Sequence, residues 1–179
     1  MTNAHLYTTL DSPIGELLLV GDGRALHRLH MQSGRAPLAI DPRWERAEQA
    51  LGDACDQLLE YFDGIRREFD LPLALAGNRF ELRVWQALRE IPYGETRSYG
   101  ALAASIGQPG GARAVGLANA RNPVPLIVPC HRVIGADGTL TGYGGGVERK
   151  RQLLDLEAGV LSFAYSSARP TALTSEAAI

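Results

Sequence analysis

The fold of this chain is constrained most by two short helical segments in its second half. They are predicted at residues 98–106 and 112–120, on either side of Gly107-Gln108-Pro109-Gly110. Because glycine and proline interrupt helices, this spacing predicts a helix-turn-helix. The second helix has only small residues at every second position: Ala112, Ala114, Gly116, Ala118 and Ala120. Such a helix can let its backbone approach DNA closely or let two helices pack tightly, and the pattern alone leaves both interpretations open.

The first half has the pattern of strands followed by a helix. Apolar or alternating segments at 6–9, 16–20 and 25–31 predict strands, and Asp22-Gly23 predicts a hairpin turn between the last two. Asp41-Pro42 predicts a helix start, with Asp as N-cap and Pro in the first turn. We expect this helix to run to about Phe62 with Cys55 on its buried stripe, and a further strand at 68–73.

A second unit begins near Asn78, where Asn78 and Glu81 predict a capped helix start. Beyond the helix-turn-helix, the pattern predicts a strand at 140–143, a glycine loop, and a helix at 147–158 that carries Arg149-Lys150-Arg151. Those three cations are interpreted as a solvated face or as contacts to phosphate. We therefore expect an N-terminal α/β domain at 1–76, a second domain at 77–165 and a flexible tail at 166–179.

Composition limits the classes of function. With 45% hydrophobic and 21% charged residues, the chain is typical of a globular protein. No apolar run approaches the roughly 20 residues that cross a bilayer, and the N-terminus lacks a secretory signal, so we expect a cytoplasmic protein. Its two cysteines have neither disulfide-framework nor zinc-ligand spacing, so no metal is predicted. Residues 1–75 hold 7 Arg against 12 acidic residues, whereas residues 76–165 hold 10 Lys or Arg against 7 acidic residues, which suits a C-terminal half that contacts DNA.

The dipeptide Cys130-His131 is the candidate reactive site. A free thiol, with a pKa of about 8.5, is a weak nucleophile at neutral pH, and a neighbouring imidazole that accepts its proton activates it. Cys130 follows the apolar run from Ile127 to Pro129. A buried structural cysteine beside a histidine is the alternative interpretation of the dipeptide alone.

Taken together, these segments resemble the O6-alkylguanine-DNA alkyltransferases. The resemblance covers residues 78–158 in family order and extends more loosely to Ser12-Pro13-Ile14-Gly15. It implies an N-terminal RNase H-like α/β domain followed by a C-terminal winged helix-turn-helix domain. The matching segments are Phe80-Glu81-x-x-Val84-Trp85, Ile91-Pro92-Tyr93-Gly94-Glu95-Thr96, Ser98-Tyr99, Ala112-Arg113-Ala114-Val115-Gly116, Asn122-Pro123, Pro129-Cys130-His131-Arg132-Val133-Ile134 and Gly142-Tyr143-x-Gly145-Gly146.

The resemblance also implies a role for each matching residue. Cys130 is the alkyl acceptor, His131 takes its proton through a water molecule, and Glu157 orients His131. Asn122 supports the turn beside the active-site segment, and Tyr99 donates a hydrogen bond to the departing guanine. Arg113 fills the gap that the flipped nucleotide leaves in the duplex. The implied DNA contacts are Arg113, Ala112, Ala114, Gly116 and Arg132, and the implied substrate pocket is formed by Tyr99, Val133, Tyr143, Gly144 and Gly145.

The implied partner is duplex DNA that contains O6-alkylguanine, with O4-alkylthymine as a second candidate lesion. The protein would act once, without a cofactor, as a monomer in solution that can bind DNA cooperatively. Gly144 stands where some members carry serine, which affects the choice of alkyl group more than the reaction. Three alternatives are a DNA-binding lesion sensor, which would lack Cys130, a cysteine hydrolase, which would turn over, and a transcription regulator, which would not need the Cys-His pair.

Overall fold

The computed structural model describes residues 5–33 and 37–163, so the predicted tail at 166–179 lies outside the described residues. The N-terminal half contains a four-stranded sheet in the strand order β3-β2-β1-β4, with β1 at Leu6–Leu10, β2 at Leu17–Gly21, β3 at Leu26–Met31 and β4 at Glu45–Arg46. Its antiparallel part includes the hairpin predicted at Asp22-Gly23, which is confirmed: Asp22 Oδ1 accepts hydrogen bonds from the backbone N–H groups of Arg24 and Ala25, both at 2.9 Å.

The predicted helix start at Asp41-Pro42 is wrong. Asp41 instead closes a turn, because its Oδ1 accepts from the N–H of Arg43 and its carbonyl from the N–H of Trp44, both at 2.9 Å. The chain then runs extended as β4, parallel to β1, and a 3₁₀ turn at Gln49–Leu51 leads into helix α1 (Gly52–Phe62). The strand predicted at 68–73 is reduced to a single bridge between Leu73 and Leu26.

The second half begins with helix α2 (Arg79–Arg89), whose predicted start is confirmed. Asn78 Oδ1 accepts from the N–H groups of Phe80 and Glu81, and Glu81 Oε2 accepts from the N–H of Asn78, all at 2.9 Å. The Trp85 ring is buried, and its Nε1 donates to the carbonyl of Ala118 at 2.9 Å. This bond ties α2 to the second helix of the helix-turn-helix.

The helix-turn-helix is confirmed as α3 (Tyr99–Ser105) and α4 (Ala112–Ala120). Of the small residues on α4, Ala118 is buried, whereas the other four remain at least partly exposed. Burial therefore accounts for Ala118 alone, and the other four small residues remain accessible to a partner. Strand β5 (Arg97–Ser98) pairs in parallel with β6 (Val133–Ile134), and helix α5 (Val147–Glu157) follows the glycine loop.

The strand predicted at 140–143 is wrong, because this segment is held by side chains instead of a neighbouring strand. The carbonyl of Thr141 accepts from Lys150 Nζ at 2.9 Å and from the Tyr99 hydroxyl at 3.3 Å. The mixed α/β class is confirmed, and one apolar core passes through both halves, from Leu17 and Leu29 through Phe62 to Val128 and Leu153. Among residues 5–33 and 37–163, no helix has the length and apolar character needed to cross a membrane.

Candidate active site

Cys130 lies in a short 3₁₀ turn, Cys130–Arg132, that follows a tightly bent loop. Asn122 braces this loop: its Nδ2 donates to the carbonyl of Val128 at 2.7 Å, and its Oδ1 accepts from the N–H of Val124 at 3.0 Å. Leu126 has a φ of 76°, a conformation that costs a non-glycine residue free energy and that the surrounding contacts must hold. The bend presents Cys130 with only 4% of its surface exposed.

Next to His131, the buried carboxylate of Glu157 accepts hydrogen bonds from both halves of the chain. Glu157 Oε1 lies 2.7 Å from His131 Nε2, accepts from the Tyr61 hydroxyl at 2.7 Å and accepts from Arg132 Nη2 at 3.0 Å. Glu157 Oε2 accepts from Arg132 Nε at 2.9 Å and from the backbone N–H of Gly94 at 3.0 Å. Burial would raise the pKa of Glu157, but the hydrogen bond from His131 and the ion pair with Arg132 lower it to about 2.

The negative charge of Glu157 determines which ring nitrogen of His131 carries the hydrogen. An ionised carboxylate only accepts, so His131 Nε2 carries the hydrogen and Nδ1 keeps its lone pair. Burial lowers the pKa of His131, although the hydrogen bond and the charge of Glu157 oppose this shift. The lowered pKa keeps the ring neutral at physiological pH. Nδ1 is buried and has no hydrogen-bond partner among the residues that the structure describes. The ring therefore offers a free base on the side away from Glu157.

The thiol of Cys130 is protonated at rest. Burial raises its pKa to about 11, and the Asn122 side chain and the positive charge of Lys150 offset only part of that effect. A base must therefore remove the proton before this sulfur can attack. Cys55 on α1 also has a pKa raised to about 11, mainly by burial, and the nearby acidic side chains of Asp56 and Glu48 raise it further.

Cys130 lines a cavity of about 510 Å³ together with three of the predicted pocket residues, Tyr143, Gly144 and Gly145. The other two predicted pocket residues lie elsewhere. Val133 is fully buried in β6, and Tyr99 lines a neighbouring cavity of about 490 Å³ with Ala112 and Gly116 of α4. Gly142 lines both cavities, so they adjoin at the glycine loop. One cavity faces the helix-turn-helix and the other contains the thiol.

Arg132 was predicted to contact DNA, and that prediction is wrong. Only 6% of its surface is exposed. Its Nε and Nη2 donate to the Glu157 carboxylate, and its Nη1 donates to the carbonyl of Ile91 at 2.6 Å. Arg132 therefore neutralises Glu157. Arg113 and Ala114, in contrast, are exposed at the start of α4, where an external partner can reach them.

The sequence gives little indication of two further residues at the site. Lys150 was interpreted with its neighbours as surface charge, yet it is fully buried and its Nζ donates to the carbonyls of Val133 at 2.6 Å and Thr141 at 2.9 Å. Its spacing to Leu153 and Glu157 places it on the buried face of α5, a signal that could have identified it. Tyr61 belongs to the apolar stripe of α1, and the contact of its hydroxyl with Glu157 depends on how the two halves pack.

The fold and the site define a DNA-binding protein whose helix-turn-helix lies beside a buried cysteine that is followed directly by a histidine. Comparison with known proteins places this chain within that class. Two family models match the chain: the ribonuclease-like domain of 6-O-methylguanine DNA methyltransferase at residues 5–75 and its DNA-binding domain at residues 79–159.

Relatives named methylated-DNA–protein-cysteine methyltransferase include one from Mycobacterium bovis, 57% identical over 152 residues that cover 84% of this chain and 91% of the relative. Another, from Methanosarcina acetivorans, is 49% identical over 151 residues that cover 84% and 97%. Among solved structures, Mycobacterium tuberculosis OGT in complex with DNA matches with a TM-score of 0.82 and 54% identity, covering 88% of this chain and 96% of that one. The chain belongs to the 6-O-methylguanine DNA methyltransferase family, and its activity is that of a methylated-DNA–protein-cysteine methyltransferase in direct-reversal DNA repair.

Proposed function

We propose that Cys130 Sγ accepts the alkyl group from O6-alkylguanine in duplex DNA. The observation that carries this proposal is the position of Cys130, which lines a cavity and is followed directly in the chain by His131, the partner of Glu157. In the transfer, the bond between O6 and the alkyl carbon breaks, a carbon–sulfur bond forms, and the electron pair of the broken bond stays with guanine. The thioether is stable, so each molecule acts once.

The proton of Cys130 goes to His131 Nδ1 through a water molecule. Nδ1 is the only ring nitrogen available as a base, because Nε2 donates to Glu157. The positive charge that forms on the ring is stabilised by the Glu157 carboxylate, as in other arrangements of nucleophile, base and orienting acid. Arg132 keeps that carboxylate ionised, and Asn122 holds the bend that presents Cys130.

Uptake of one equivalent of alkyl group tests this function against a cysteine hydrolase. With an excess of duplex containing O6-methylguanine, we expect methyl uptake to stop at one group per protein molecule. Continued turnover with release of methanol would show that the enzyme hydrolyses its substrate and would contradict the proposal.

Delivery of the lesion requires the nucleotide to leave the base stack, at a cost of a few kcal/mol. The small residues Ala112, Gly116 and Ala120 let DNA approach the cavity of Tyr99, which adjoins the cavity of Cys130 at Gly142. Arg113 is exposed on the same helix and fills the gap left in the duplex.

O4-alkylthymine presents the same kind of exocyclic alkyl group and is a second candidate substrate. We further propose a cytoplasmic monomer that can bind DNA in several copies.

Replacing Arg113 with alanine should slow repair of duplex DNA by about tenfold or more, because the flipped state loses the side chain that holds it open. The free base O6-methylguanine needs no extrusion, so its reaction with the same variant should change by less than about twofold. Both rates can be measured by methyl uptake under single-turnover conditions. Equal slowing of the two substrates would contradict this role for Arg113.

Replacing Tyr99 with phenylalanine should slow transfer by up to about 10²-fold, because the departing guanine loses a hydrogen bond to its developing negative charge. In the free protein this hydroxyl donates to the carbonyl of Thr141 at 3.3 Å, so it must turn toward the base when substrate enters. The transfer rates of the variant and the unaltered protein are compared at saturating DNA. Tyr93→Phe is the control, because it removes a tyrosine hydroxyl that lies elsewhere, 3.5 Å from the carbonyl of Leu156. Loss of DNA affinity with an unchanged transfer rate would assign Tyr99 to binding instead.

A further inference from the structure

Arg149, near the start of α5, connects three segments of the chain through one guanidinium group. Nη1 donates to the carbonyl of Gly145 at 2.6 Å, in the loop that lines the Cys130 cavity. Nε donates to the carbonyl of Ile14 at 2.6 Å, and Nη2 donates to the carbonyl of Ser33 at 3.0 Å. The last two carbonyls belong to the N-terminal half. Arginine suits this task because its planar fork directs several donors at fixed angles.

The anchor points in the N-terminal half are themselves held together. Gly15 has a φ of 103°, and a Cβ atom there would overlap the Ser33 side chain, so only glycine allows these two segments to meet. Ser12 Oγ donates to the carbonyl of Gly15 at 2.5 Å, and the N–H of Gln32 donates to the carbonyl of Glu16 at 2.8 Å. Arg149 therefore binds to a fixed surface and not to two independent loops.

The segment that Arg149 holds has little rigidity of its own. It contains Gly142, Gly144, Gly145 and Gly146 around a single side chain, Tyr143, and glycine loses more conformational freedom on ordering than any other residue. A Cβ atom at Gly145 would overlap Met31 Sδ at the end of β3, so the loop packs directly against the N-terminal sheet. Tyr143, Gly144 and Gly145 form part of the wall of the cavity that contains Cys130.

We infer that Arg149 is a specificity-determining residue, which fixes the glycine loop against the N-terminal half and thereby sets which alkyl groups fit beside Cys130. This inference rests on the proposed function of the cavity. With the tether in place, the wall is held close and favours a small alkyl group. Without it, the loop can move outward, which misplaces a methyl group relative to the sulfur and makes room for a larger one. Arg149 acts through the loop and need not touch the substrate.

The test compares two duplexes of identical sequence that carry either O6-methylguanine or O6-benzylguanine at one position. Transfer rates are measured in single turnovers at saturating DNA, so that differences in DNA affinity cancel. In Arg149→Ala we expect the methyl rate to fall by about tenfold or more and the benzyl rate to fall much less or to rise. The ratio of methyl to benzyl rates should therefore decrease several-fold, which a general loss of stability would not produce. Arg151→Ala, an exposed neighbour on the same helix, should leave the ratio unchanged.

Arg149→Lys provides a second variant that keeps the positive charge. Its single ammonium group cannot span three carbonyls, so the ratio should shift in the same direction but less, and this variant decides the question if Arg149→Ala does not fold. An unchanged ratio in the folded variants, whether both rates fall equally or neither changes, would overturn the inference. The proposed function is checked separately in the unaltered protein, where both alkyl groups should be found on Cys130. An alkyl group on another residue there would contradict that function whatever the ratio.

Discussion

Replacing Cys130 with alanine is expected to abolish alkyl transfer while leaving DNA binding largely intact. The sulfur is the atom that forms the new bond, and the alanine side chain offers no nucleophile in its place. Alanine is smaller and removes no charge, and the side chain it replaces is 4% exposed, so the surface of α4 that faces DNA should be unaffected. Methyl uptake and the affinity for O6-methylguanine duplex, measured by fluorescence anisotropy, give the two readouts.

Cys55→Ala is the matched control for this variant. Cys55 is half-buried on α1, and its neighbours in the sequence are Ala54 and Asp56 instead of a histidine. We expect the Cys55 variant to take up methyl at the unaltered rate. Transfer that persists in Cys130→Ala, or that disappears in Cys55→Ala with the fold intact, would contradict the assignment of Cys130 as acceptor.

Replacing Glu157 with glutamine is expected to have the largest effect on stability. The change leaves the Arg132 guanidinium buried without a counter-charge, and breaking a buried ion pair in this way costs about 3–5 kcal/mol. It also removes the charge that orients His131 and stabilises its protonated form, so transfer should slow strongly in the molecules that remain folded. Urea unfolding at neutral pH measures the first effect, and single-turnover methyl uptake measures the second.

The matched control is Glu148→Gln, which removes an exposed carboxylate from the first turn of the same helix. Its effect on the free energy of unfolding should stay within about 0.5 kcal/mol. A Glu157→Gln protein as stable as the unaltered chain would mean that Arg132 and His131 do not depend on the carboxylate.

The contribution of Glu157 to the stability of the fold should depend on pH with a defined sign. Because the folded pKa of about 2 lies below the ordinary 4.5, the stabilisation by Glu157 is present above about pH 4.5 and is lost as the pH falls toward 2.

Those parts of the fold that depend on short-range signals could be predicted from the sequence. The Asn78–Glu81 cap, the Asp22-Gly23 hairpin and the helix-turn-helix each depend on residues a few positions apart. The helix start at Asp41-Pro42 was mispredicted because the same aspartate can cap a helix or close a turn. Pairing of Glu45–Arg46 with the edge of β1 accompanies the turn, and this long-range contact is not visible in the local pattern.

The charged residues of the site could not be placed from sequence for a related reason. Arg132, Arg149 and Lys150 look like surface cations until their partners are known, and those partners come from distant segments of the chain. A cation can be buried only when acceptors surround it, so its location depends on the complete packing. Tyr61 illustrates the same limit, because its hydroxyl reaches Glu157 across the boundary between the two halves. The Cys130-His131 pair, in contrast, is visible as adjacent residues.

The central claim is that Cys130 accepts the alkyl group, and peptide mapping by mass spectrometry tests it most directly. The protein is incubated with duplex DNA containing O6-methylguanine, digested, and compared with protein treated with unmodified duplex. We predict one added methyl group, on the peptide containing Cys130, and none on the peptide containing Cys55. A methyl group on Cys55 or on any other residue, or no methyl on the protein after the lesion has disappeared from the DNA, would contradict the account.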